Sequence, residues 1–267
     1  MSEFRPGRFE ILPLVIKNLM IINGLVFLAQ NALGPDFGEK INEIFALHYW
    51  GSSLFKPHQL ITHLFMHGSV GHLFMNMFTL WMFGSTLENI WGPKRFLIFY
   101  MVCGIGAALF YLGVLTYENT RLTHDIQAFL AHPSATNFAV LQKRYDLALD
   151  QYELGYPTTP GELNYARFFL SKYLQLNIDN AILGASGAVY GLLFAFGYLF
   201  PNNLIYLYFL FPIKAKYLIG ILIIMELVLG VQNSAGDNVA HFAHLGGVLF
   251  SYILLKVWNR KNRRHFY

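Results

Sequence analysis

Apolar residues gather into six runs separated by polar stretches of unequal length: about 16–33, 72–88, 96–116, 184–200, 215–231 and 239–257. Some are shortened by polar residues, yet each approaches the roughly 20 helical residues that cross a hydrocarbon core about 30 Å thick. The first continues through Leu25-Val26-Phe27-Leu28-Ala29 without a small-residue cleavage pattern, with Pro13 and Lys17 at its start. It therefore reads as a retained span and not as a signal peptide.

Between the runs, 34–71 mixes Tyr49, Trp50, Phe55 and Phe65 with polar residues, as expected of a loop resting in the headgroup layer. The stretch 117–182 is longer and more polar, but it reads as helical. Thr159-Pro160-Gly161-Glu162 offers an N-cap, a proline at the first helical position and a glutamate placed for a capping box, which predicts a helix from 160 to about 175. A second helix is expected over about 136–151, with Phe138, Val140, Leu141, Tyr145 and Leu147 apolar. The stretch is thus a helical insertion between the third and fourth spans, without a catalytic constellation of its own. The run 204–211 is apolar throughout, too short to cross and broken at Pro212; it reads as an interfacial or membrane-dipping connector.

Composition supports this pattern. Hydrophobic residues make up 55% and charged residues 13%, where about 25% charged is usual, and the mean hydropathy is +0.41. The expectation is an all-α polytopic membrane protein, one membrane domain over 1–267, with the lipid bilayer as its solvent. Twelve of the 19 basic residues fall on the side that would hold both termini, which are therefore expected in the cytoplasm. The net charge of +4 is accounted for by the basic tail 256–264, which suits orientation and anionic lipid and gives no reason for a nucleic-acid partner. The lone Cys103 allows no disulfide within one chain and suggests no metal–thiolate site.

Polar side chains inside spans are costly and mark function by default. Here they cluster: His72 and Asn76 in the second span, Ser186 at the start of the fourth, His241 and His244 in the sixth. Ser186, in Gly184-Ala185-Ser186-Gly187, sits where a loop enters a helix, close to unpaired backbone N–H groups that stabilise an oxyanion. Taken alone, the same residues serve as well for close helix packing. His244, in Ala243-His244-Leu245-Gly246-Gly247, offers a base titrating near pH 7, and Gly247 with Ser251 forms a small-residue face able to bring the sixth span against the fourth. His72 and Asn76, four residues apart, share a helical face; they could donate to an oxyanion or make a packing bond between spans. The spacing of His63, His67, His72 and His241 raises metal ligation, but no His-Glu-x-x-His exists and the only nearby carboxylate in sequence is Asp237, so neither metal nor cofactor is expected. Glu226, toward the outer end of the fifth span, reads as a snorkelling or hydrogen-bonded carboxylate in preference to an acid catalyst.

In order and in span, Gly184-Ala185-Ser186-Gly187, His72-x3-Asn76 and Ala243-His244-x2-Gly247 resemble the rhomboid intramembrane proteases, over nearly all of the membrane part of the chain. The resemblance implies a six-helix core of the bacterial type in a bacterial inner membrane. It also implies a Ser186–His244 dyad without an acid partner, an oxyanion hole of His72, Asn76 and the Ser186 N–H, and transmembrane protein substrates cut in or beside their spans. Gly184, Gly187 and Gly247 would support the site. Tyr190, one turn after the serine, matches the family tyrosine that packs on the catalytic histidine. Glu88, in Leu87-Glu88-Asn89, resembles a glutamate that anchors the first outer loop, itself matched by Thr62-His63-x3-His67-x4-His72. Lateral substrate entry beside the fifth span is expected, with 232–238 displaced about Gly236 and Asn238. Two departures stand out: His58-Gln59 replaces the Trp-Arg of many rhomboids, and 117–182 has no counterpart in the minimal fold. The rival readings are an inactive rhomboid-like binder of membrane helices and a transporter whose His and Asn residues line a path.

Overall fold

The first apolar run becomes α1 (Leu14–Ala32). It is followed in the outer loop by α2 (Pro35–Phe45), a single turn α3 (Gln59–Thr62) and a 3-10 turn His63–Phe65. The computed structural model describes residues 9–32, 34–145, 147, 157, 159–207, 211–232 and 240–262.

The second run is helical from 70 to 91, as α4 (Val70–Thr79), a π segment (Leu80–Gly84) and α5 (Ser85–Trp91). Ser69 caps α4 by accepting the His72 N–H at 3.1 Å. The wider π turn ends at Gly84, where a Cβ would stand 2.6 Å from the Ile16 side chain of α1. Gly92, at φ +79°, and Pro93 then start α6 (Pro93–Ala131), where the missing proline N–H costs no intrahelical bond.

The α6 helix has 39 residues, roughly 58 Å at 1.5 Å per residue, about twice a hydrocarbon core. It does not stop near 116 as the apolar run did; its outer third forms one wall of the insertion. The other walls are α7 (Ala135–Tyr145) and α8 (Pro160–Ile178). Leu122, Ile126 and Phe129 of α6 bury against Phe138 and Leu141 of α7 and Ala166, Phe169 and Leu170 of α8. The expected capping box is present: Thr159 Oγ1 accepts the Glu162 N–H at 3.3 Å and Glu162 accepts the Thr159 N–H at 2.9 Å. Residues 146 and 148–151 of the expected first insertion helix lie outside the described residues.

After α9 (Ser186–Leu199), the connector contains β1 (Leu204–Leu207) and β2 (Phe211–Lys214), paired antiparallel with Ile205 opposite Ile213. The structure is mostly helical, as expected, and departs from the all-α reading in this two-stranded sheet. The run is rich in Ile, Tyr and Phe, which suit a pleated strand, and Pro212 lacks the N–H that a continuing helix would need. The last two helices are α10 (Ala215–Gln232) and α11 (His241–Asn262).

Among the described residues, α1, α6 and α10 are long and apolar enough to cross a membrane, and α9 is a shorter apolar helix. At the centre, α6, α9 and α11 pack on one another. Small residues allow it: a Cβ on Gly247 would overlap the Gly187 carbonyl, and one on Gly191 would stand 2.8 Å from Cys103 Cβ. Ser251 Oγ donates to the Gly191 carbonyl at 2.8 Å. This close seam sets the distance between α9 and α11, and with it the distance between Ser186 and His244.

Candidate active site

Ser186 is the first residue of α9, and no side chain caps that helix end. The preceding Gly184 has φ +126°, a conformation that glycine takes without steric cost. Its position is held by an N–H bond to the His63 carbonyl at 3.0 Å, two residues after Ile182 exchanges bonds with Leu47 at 2.8 and 3.0 Å. The outer loop is thereby stitched to the approach to the serine. Ser52 adds an Oγ bond to Asp179 at 2.6 Å.

Across the seam, His244 Nε2 lies 2.9 Å from Ser186 Oγ. The Tyr190 ring stacks on the His244 ring with centroids 4.2 Å apart and planes within 8°. The opposite edge of His244 meets a group assigned no acid role above: Nδ1 is 2.9 Å from Glu226 Oε2. The same oxygen lies 2.6 Å from His241 Nδ1, and the Tyr190 hydroxyl donates to Oε1. Glu226 is hydrogen-bonded as expected, but its partners are the histidine and the tyrosine of the site. The expectation of a histidine with no acid beside it does not hold in this structure. One ligand-capable atom from each of Glu226, His241 and His244 lies within 4.8 Å of the others; here these side chains are engaged in hydrogen bonds.

His72 is half-buried beside the serine loop; a Cβ on Gly184 would stand 2.8 Å from its Nε2 and Cε1. Asn76 is buried one turn further along α4, and its Nδ2 is 3.1 Å from His67 Nε2. The His67 and His72 rings meet edge to face at 5.0 Å. Burial, with His72 adding, lowers the His67 pKa to about 4, so at neutral pH its Nε2 can accept the Asn76 N–H and orient that amide.

Comparison with known proteins then decides the lineage. The family model described as Rhomboid domain matches residues 55–141 and 163–260. The chain belongs to the rhomboid family. It is 27% identical over 252 residues to RHOMBOID-like protein 12, mitochondrial, of Arabidopsis thaliana, covering 94% of this chain and 60% of that protein. An uncharacterized mitochondrial rhomboid protein of Schizosaccharomyces pombe is 24% identical over 284 residues, 96% of this chain and 69% of the relative. Rhomboid protease GluP of Bacillus subtilis is 32% identical over 73 residues, 27% of this chain and 13% of that protein. As a rhomboid with several apolar helices, the chain is an integral membrane protein. The expected bacterial inner membrane finds no support in relatives that match nearly the whole chain and are named mitochondrial.

One expectation for the supporting residues of this rhomboid does not hold. Glu88 does not anchor the outer loop: its Oε1 and Oε2 accept the Val15 and Ile16 N–H groups at 2.9 and 3.0 Å, capping α1. Glu88 lies 16 residues beyond His72, roughly 24 Å along a helix, at the end away from the site. Gln59, by contrast, braces the loop in which Trp-Arg is absent. It is wholly buried; Oε1 accepts from the His48 and Lys56 N–H groups, and Nε2 donates to the Glu43, Ile44 and Leu54 carbonyls. The bracing role was invisible in the pattern because its partners are backbone groups up to 16 residues away. Glu226 did leave a signal, as the only charged residue between Lys216 and Gln232. The expected entry segment 232–238, with Gly236 and Asn238, falls outside the described residues except at Gln232.

Proposed function

We propose that the chain is an intramembrane serine endopeptidase. The observation that carries this reading is the 2.9 Å approach of His244 Nε2 to Ser186 Oγ at the uncapped N-terminus of α9. A serine hydroxyl needs a base within hydrogen-bond reach, and the free N–H groups of a helix start favour an oxyanion. His244 takes the Ser186 proton as Oγ bonds to the substrate carbonyl carbon. The resulting oxyanion is met by the Ser186 N–H, His72 and Asn76. The proton then passes from His244 to the leaving amine nitrogen as the C–N bond breaks. Water, deprotonated by His244, attacks the acyl-enzyme and returns Ser186 to its starting state.

The substrates in this reading are membrane-spanning segments whose helix opens to expose one carbonyl. The family match and the relative named a protease support it. Six segments would cross: α1, the 70–91 helix, α6, α9, α10 and α11. The even number puts both chain ends on one face with Lys94, Arg95, Lys214 and Lys216, opposite the insertion. A mitochondrial membrane is the proposed location, on the names of the relatives.

Ser186→Ala and His244→Ala should each abolish cleavage of a transmembrane substrate by the purified protein, with folding retained, and a fluorophosphonate should label the parent at Ser186 only. Cleavage that survives in either variant overturns the assignment.

A further inference from the structure

A lone carboxylate in a membrane helix costs several kcal/mol unless it is paired. Glu226 is 7% exposed, and among the described residues the donors around it belong to the site: His244, His241 and Tyr190. An ionised carboxylate only accepts hydrogen bonds, so the proton of neutral His244 must sit on Nδ1, facing Oε2 at 2.9 Å. Nε2 is then unprotonated and faces Ser186 Oγ at 2.9 Å, which is the tautomer that a general base requires. When His244 accepts the serine proton, its positive charge forms against the carboxylate.

We propose that Glu226 is a positioning residue that turns the Ser186–His244 pair into a triad, with Tyr190 and His241 holding its carboxylate in place. The proposal rests on the acyl-transfer reading above. It differs from that reading by giving His244 a fixed tautomer and a counter-ion from α10. Tyr190 serves twice, with its ring against the face of His244 and its hydroxyl on Oε1. Among the described residues, the charged and titratable groups facing His244 are Glu226 from α10, His241 from its own helix, Ser186 and Tyr190 from α9, and His72 from α4. Against the Gly246 turn of α11, α6 presents Ala107 and Phe110, which do not titrate.

The test is the rate at which a fluorophosphonate labels Ser186 at pH 7 in the purified full chain. Glu226→Gln keeps the size of the side chain and removes its charge. Labelling at pH 7 should fall by about 10- to 100-fold, smaller than the roughly 10⁴-fold loss in kcat when the acid of a soluble triad is neutralised, because Tyr190 still holds the ring. Glu226→Asp, which keeps the charge, should restore labelling to within about threefold of the parent. A Glu226→Gln variant that labels within twofold of the parent, or a Glu226→Asp variant slowed as much as Glu226→Gln, overturns the proposal. A second measurement does not depend on that variant folding: the parent should show a strongly downfield imidazole N–H resonance that is lost in His244→Ala, and its absence overturns the triad. Failure of the parent itself to label at Ser186 would instead remove the acyl-transfer reading.

Discussion

His63 and His67 are buried residues of the outer loop, 4% and 1% exposed, and burial lowers each pKa from 6.5 to about 4. The causes differ in part: a bond to the Gln59 carbonyl partly opposes burial at His63, whereas the neighbouring His72 reinforces it at His67. An unfolded chain takes up these protons first as pH falls, so the stability from keeping each ring neutral is complete above about 6.5 and is lost between about 6.5 and 4. For one ring, that difference corresponds to on the order of 3 kcal/mol. The thermal midpoint of the detergent-solubilised protein should therefore drop through this window, and His63→Gln should flatten the slope. An equally steep slope in the variant would rule out His63 as a source.

At the scale of elements, the outer loop is built on one buried side chain. Gln59 satisfies two N–H groups and three carbonyls drawn from 43–56. Removing it takes a partner from several part-buried backbone groups, although the Ile44 carbonyl keeps its bond to His58 Nε2; each group left unpaired can cost about 1–3 kcal/mol. Gln59→Ala should lower stability by on the order of 3 kcal/mol and speed proteolysis between 34 and 71, with helix content retained. Cleavage at the parent's rate would show that other contacts suffice. Because this loop is bonded to Ile182 and Gly184, loosening it should also slow labelling of Ser186. The insertion helices were legible in sequence from Thr159-Pro160-Gly161-Glu162 and from the apolar positions of 136–147. Their common wall on α6 was not, because the apolar run ends near 116 while the helix continues to Ala131.

At the scale of the whole molecule, the site depends on how closely α9 and α11 approach. Gly247 lies against the Gly187 carbonyl, and Ser251 is bonded to Gly191. A methyl group at 247 has nowhere to go but into backbone, so Gly247→Ala should force the helices apart. Loss of Ser186 labelling by 10²-fold or more is expected, since a misplacement of about 1 Å can cost that much. Labelling within twofold of the parent would show that the seam yields without disturbing the site. The sequence alone determined which segments form apolar helices, where Thr159 starts α8, and that Ser186, His244, His72 and Asn76 resemble a rhomboid site. These signals lie within a few residues of one another, in hydropathy, caps and short motifs. Only the tertiary structure decided that Glu226 faces His244 and Tyr190, that Gln59 braces the loop, and that Glu88 caps α1. Each depends on how one element is rotated against another, and a nearly uniform apolar run leaves that rotation open until close packing and buried polar pairing select it.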